Sequence, residues 1–121
     1  MNSKLTTALR ILLALLLLLF GSNKFFNFLP TPTLAPDNFL VQIIGTGYLW
    51  SLIGLTEITA SILLLFNKWK GFALVIIAPI SVNIILYHIN YDINGIAPGA
   101  LVAILNVILI YANWSKYKSL F

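Results

Sequence analysis

The amino-acid sequence predicts an all-α fold, a transmembrane four-helix bundle with both termini on the cytoplasmic side (N-in/C-in). Three observations lead there. Apolar residues make up 60% of the 121 residues and charged ones only 8%. Four apolar stretches recur, each near the roughly 20 residues a helix needs to cross about 30 Å of hydrocarbon. The basic residues gather at alternate connections between those stretches. A soluble domain this small has a high surface-to-volume ratio and usually covers it with charged residues amounting to roughly a quarter of the chain. Seven Lys/Arg and three Asp/Glu cannot form that cover, so the surface must face lipid. No internal repeat or low-complexity linker divides the sequence, which reads as a single transmembrane domain over residues 1–121.

The first span covers about Ala8 to Phe28, with an unbroken apolar run from Ile11 to Phe20 behind Lys4 and Arg10. A positive lead before an apolar run also describes a signal peptide. The residues after the run, Gly21-Ser22-Asn23-Lys24, offer no small-x-small cleavage site, and Phe25, Phe26 and Phe28 prolong the apolar stretch, so a retained helix is expected. Pro30, Pro32 and Pro36 then stop it, because proline fixes φ and lacks an N–H. The following stretch has Asp37 as a possible cap, Phe39, Leu40, Ile43 and Ile44 on one face, and Gly45 as a stop. It reads either as a short amphipathic helix lying in the interface or as a plain loop.

The second, third and fourth spans cover about Tyr48 to Phe66, Gly71 to His88 and Ile96 to Trp114. With the N-terminus inside, Lys4, Arg10, Lys68, Lys70, Lys116 and Lys118 all fall on the cytoplasmic side, and Asp37 and Asp92 outside. Trp69 and Trp114 then sit at the inner boundary, where aromatic belts belong.

Two charges remain inside the spans, Lys24 and Glu57. A charge at a span centre costs about 2.5–3.5 kcal/mol on insertion scales, so each asks for a reason. At about 1.5 Å per residue, Lys24 lies about 21 Å above Arg10 and Glu57 about 15 Å above Asn67, within reach of a flexible lysine stem. Ala14, Leu17, Gly21, Lys24 and Phe28 share one helix face, as do Trp50, Gly54, Glu57 and Ser61. Small residues beside each charge let the two helices approach closely. Asn83 and Asn106 fall about 18 and about 12 Å up by the same count, so the four spans are expected to converge on one polar layer. Such a layer can be a mechanical fastening, can hold the polar head of a ligand such as a quinone, or can relay protons.

Other chemistry is poorly provided for. The absence of cysteine removes Fe–S clusters, thiolate metal sites and thiol catalysis, and leaves redox chemistry to a partner or a bound cofactor. A bis-histidine haem needs two facing histidines, and His88 is the single histidine. His88 with Asp92 makes a weak ligand pair, better read as an interfacial cap, so no metal is expected. Scattered lysines argue against nucleic acid and are answered by anionic lipid headgroups. No catalytic triad, Walker loop, dinucleotide fingerprint or HExxH motif occurs.

Several short motifs, in this order, make a resemblance: Arg10 opening the first span, Gly21-Ser22-Asn23-Lys24-Phe25, Leu55-Thr56-Glu57-Ile58 with small and leucine-rich positions through Phe66, and Tyr87-His88 closing the third span. The chain resembles the DoxX family of small four-helix bacterial membrane proteins over nearly its whole length, with Ala14 and Ser61 where members often have glycine. The resemblance implies a bacterial cytoplasmic (inner) membrane protein, and some relatives are linked to quinone-coupled sulfur oxidation or to membrane oxidoreductase complexes. The expected role is an accessory subunit, or a bundle binding a quinone or lipid, with no catalysis of its own. Lys24 and Glu57 are expected to organise an outward-opening polar pocket, with Asn83, His88 and Asn106 lining it. The expected partners are membrane lipids, and other membrane subunits or a second copy. The rivals are a small proton-linked transporter with Glu57 as carrier, and a purely structural subunit.

Overall fold

In the computed structural model, which describes residues 2–30 and 34–121, all regular structure among the described residues is helical. Four long helices, α1 (Ser3–Phe26), α3 (Leu49–Leu65), α4 (Lys70–Tyr91) and α5 (Ile96–Ala112), are joined by a short α2 (Phe39–Gly45) and single 3-10 turns at Ile93–Gly95, Trp114–Lys116 and Lys118–Leu120. α1, α4 and the run Ile93–Ala112 are each long and apolar enough to cross a membrane, and α2 with α3 pass the same test as a pair bent by 93°.

Capping sets where α1 begins and ends. The Asn2 side chain accepts from the Lys4 and Leu5 amides at 2.8 and 3.2 Å, so the helix starts ahead of the apolar run. It stops before the prolines: Asn27 takes the left-handed conformation at φ 53°, and its amide returns to the Asn23 carbonyl. Pro32 lies outside the described residues. The short α2 forms, but its cap is Asn38, not Asp37. The helix starts at Phe39, and Asn38 Oδ1 accepts from the Leu40 amide at 2.9 Å while Asp37 sits in the turn before it. Gly47, at φ 83°, supplies the left-handed residue with which the chain turns from α2 into α3.

The tight turn between α3 and α4, the 3-10 turn between α4 and α5, and the contacts of α1 with α3 run successive long helices in opposite directions. One end of the molecule, here the lower end, holds the start of α1, the α3–α4 turn and the tail after α5. The upper end holds α2 and the α4–α5 connection. Leu13, Ala14 and Leu17 of α1 meet Ala60 and Leu64 of α3, Leu74 and Ile77 of α4, and Val102, Leu105 and Leu109 of α5 in one core. The outward faces are apolar too, with Leu52, Leu55, Val82, Leu86, Ile104 and Val107 all exposed. Helices apolar on both faces need lipid outside as well as protein inside.

Candidate functional site

The interface of α1 with α3 is built around bare backbone. A Cβ on Gly21 would lie 2.9 Å from the Gly54 carbonyl oxygen and 2.9 Å from Ile58 Cγ1. One on Gly54 would lie 3.0 Å from Phe25 Cε2 and 3.2 Å from the Gly21 carbonyl oxygen. The two glycines let the helix axes close in, and the next residue on each row is charged: Lys24 one turn above Gly21, and Glu57 one turn below Gly54.

Side chains on a helix lean toward its N-terminus, so Lys24 turns back down α1. Its Nζ reaches Glu57 Oε1 at 2.5 Å, lies 3.5 Å from the Phe20 carbonyl oxygen and stands 4.9 Å from the centre of the Trp50 ring. The carboxylate is the sealed partner, with its side chain 2% exposed, while the Lys24 side chain keeps 12%. The result is a buried ion pair whose lysine side chain keeps a small exposure and whose ammonium lies over a flat aromatic face.

Two neighbours hold this arrangement. Asn23 Oδ1 accepts from the Leu29 amide at 2.8 Å, folding the chain after α1 back over the helix end. Lower down, Arg10 Nη1 donates to the Leu64 carbonyl oxygen and lies 3.5 Å from that of Leu65, covering the last carbonyls of α3 with a positive charge. Sequence reasoning used Arg10 as a topology marker and, like Asn23, as part of the family resemblance, and gave neither a structural role. For Arg10 a signal was present, since 10, 14, 17, 21 and 24 follow one three-and-four row.

The other expected members of the layer lie apart from the pair. Asn106 is buried, and its Nδ2 donates to the Leu74 carbonyl oxygen at 3.0 Å, a stitch between α5 and α4. Asn83 is exposed on the outside of α4 and donates to its own helix at the Pro79 carbonyl, 2.9 Å away. His88 sits at the upper end with Nδ1 3.0 Å from the Asp92 carbonyl oxygen. It stands edge-on to Tyr87 with ring centres 5.1 Å apart. Tyr87 in turn donates to Asn38 Oδ1 at 3.2 Å, and Phe39 stacks on Tyr91 at 6.1 Å, which docks α2 on the top of α4. Ser81, not singled out from sequence, is the inward polar residue of α4, and its buried Oγ has no hydrogen-bond partner among the described residues. No group of three His, Asp or Glu that could hold a metal occurs among the described residues.

The DoxX family model matches residues 5–89. The chain belongs to the DoxX family. Comparison with curated proteins and with solved structures returns no match. The family match takes in nearly all of α1, all of α2 and α3 and nearly all of α4, and so contains Arg10, Gly21, Lys24, Gly54 and Glu57. α5 with Asn106, and the tail after it, lie beyond the matched stretch. The chain is thus a DoxX family membrane protein with several apolar helices, and its charged pair falls within the family's own segment.

Proposed function

We propose that this DoxX family member is an accessory protein of membrane redox chemistry that holds the polar head of a quinone at Lys24 and Glu57 and performs no catalysis of its own. In this reading the four long helices form one transmembrane bundle in the bacterial cytoplasmic membrane, with the lower end inside. Six of the seven Lys/Arg, namely Lys4, Arg10, Lys68, Lys70, Lys116 and Lys118, support that orientation by lying at the lower end, and Asp37 and Asp92 by lying at the upper. The right-angled α2, with its apolar residues and no basic one, suits the outer interface.

The observation that carries the proposal is the form of the pair. A sealed carboxylate 2.5 Å from the ammonium of a side chain that keeps 12% exposure, set over the Trp50 ring 4.9 Å from its centre, presents a charged donor against an aromatic plane within the apolar region. A quinone offers the complement, a carbonyl oxygen that accepts and a flat ring that stacks. With no cysteine in the chain, electrons would come from a partner subunit.

The test is a titration of the purified protein in detergent with a short-chain quinone, read by quenching of tryptophan fluorescence, together with mass analysis of molecules that copurify. Expected are a bound quinone in the extract and saturable quenching. Both should be lost in the Lys24→Met, Glu57→Leu double variant, which keeps the helices packed by replacing both charges. Unsaturable quenching, or equal quenching in the double variant, would reject the site.

A further inference from the structure

A second site, independent of the quinone reading, lies at the lower end. The α3–α4 turn places Asn67 and Trp69 in the left-handed region at φ 55° and 50°, which swings the Trp69 indole outward, edge-on to Phe72 with ring centres 6.3 Å apart. From the other side the tail after α5 folds back. Tyr117 is buried, and its hydroxyl donates to the Gly71 carbonyl at 2.9 Å. Burial pushes the Tyr117 phenol above its ordinary range. The clasp draws the Lys116 stem onto Gly71, where an added Cβ would stand 3.3 Å from Lys116 Cδ. Between turn and tail opens a cavity of about 730 Å³, lined among others by Trp69, Lys70, Phe72, Val75, Lys116 and Leu120.

We infer that this groove binds the phosphate head and upper acyl chains of an anionic phospholipid. Charge balance carries the inference. The chain has three acidic residues, Asp37, Glu57 and Asp92. Glu57 is engaged by Lys24, and the other two lie at the upper end. Lys70 and Lys116 therefore face the groove with no Asp or Glu side chain at that end, and Lys68 and Lys118 flank them. Four lysines with no acidic side chain among them leave that end with an excess of positive charge, which an anionic partner would balance. The start of α4 adds to the pull, because no side chain caps it and its positive dipole end opens into the same space. The occupant is a lipid and not a free anion because the groove is half apolar. Phe72 and Val75, 55% and 43% exposed, continue its wall up the outside of α4 toward the hydrocarbon. A headgroup seated on the lysines would lay its chains along that wall.

Native mass spectrometry of the detergent-solubilised protein, titrated separately with phosphatidylglycerol, phosphatidylcholine and inorganic phosphate, tests this. Phosphatidylglycerol should bind saturably, and about thirtyfold more weakly to the Lys70→Gln, Lys116→Gln double variant, in line with two near-surface lysines facing one anionic lipid. Binding should persist in Lys70→Arg, Lys116→Arg and in Lys68→Gln, Lys118→Gln. The arginine pair separates lost charge from lost folding, and the outer pair measures the general effect of removing two charges. Equal weakening in both glutamine pairs, equal binding of phosphatidylcholine, or equal binding of inorganic phosphate alone would each overturn the inference.

Discussion

Helices α1 and α3 are joined by charge and bare backbone, whereas α4 and α5 are joined by neutral groups. The first pair has the Lys24–Glu57 contact at 2.5 Å, the Arg10 cap on the end of α3, and the Gly21 and Gly54 backbones in mutual contact. The second has one amide stitch, Asn106 to the Leu74 carbonyl at 3.0 Å, amid Leu74, Ile77, Val102 and Leu105. Both pairs belong to one core. The neutral half therefore acts as an internal control: an ion pair is not needed to hold two helices of this chain together. Desolvating two charges costs several kcal/mol per ion, and apolar replacement of a buried pair is often neutral or better. The proposed quinone site gives that costlier fastening a use, through the partly exposed Lys24 side chain set over Trp50.

The largest effect should come from breaking the charged pair on one side only. Lys24→Met leaves a sealed carboxylate without its cation, and Glu57→Leu strands the ammonium. Each is expected to destabilise the fold by about 3–5 kcal/mol, and the double Lys24→Met, Glu57→Leu to recover most of that loss. Thermal unfolding in detergent measures all of these. A double variant as damaged as the sum of its singles would mean the two residues act separately, and the comparison between the halves would fail.

Next comes the backbone contact. Gly21→Ala drives a methyl to 2.9 Å from the Gly54 carbonyl oxygen, which cannot swing aside, so a loss of about 1–3 kcal/mol is expected. Gly71→Ala meets the flexible stem of Lys116 at 3.3 Å and the Tyr117 hydroxyl at an ordinary contact distance of 3.6 Å, and should be neutral or stabilising by up to about 1 kcal/mol. Equal melting temperatures for the two variants would show that the α1–α3 approach is looser than its geometry.

The charged half was more legible in the sequence than the neutral half, and the reason is physical. On α1 and α3 the small and charged residues alternate along single rows, so depth and facing direction follow from the same pattern. That pattern yields Lys24 opposite Glu57 with glycine beside each. On α4 the residues are apolar on every side: Ile77 points inward while Val75, Val82 and Leu86 point outward. Counting along such a helix gives height but not rotation about its axis. Asn83 could therefore be given a height but was put on the wrong face, while Ser81, two residues earlier, is the one turned inward. The tail was illegible for another reason. Trp114 to Phe121 mixes aromatics and lysines as any membrane boundary does, and nothing local announces that Tyr117 will reach back to Gly71.

The smallest effects should come from the two asparagines, and their difference tests how α4 is rotated. Asn106→Leu removes the α5-to-α4 stitch. Hydrogen bonds between membrane helices are worth about 0.6 kcal/mol on average and about 1.7 at most, so a loss in that range is expected. Asn83→Leu removes only a bond from the outside of α4 to its own Pro79 carbonyl, in exchange for an apolar side chain facing lipid. The expected change is within about 0.5 kcal/mol, as for surface substitutions away from special features. Quinone quenching should be unaltered as well, because Asn83 stands outside the Lys24–Glu57 pair. Were Asn83→Leu to weaken quinone binding as strongly as the charged double variant, α4 would have to be turned with Asn83 inward. The expected polar layer shared by all four helices would then replace the two-sided core. Unaltered binding together with a measurable cost for Asn106→Leu would leave the ligand on the charged half and the plain fastening on the neutral one.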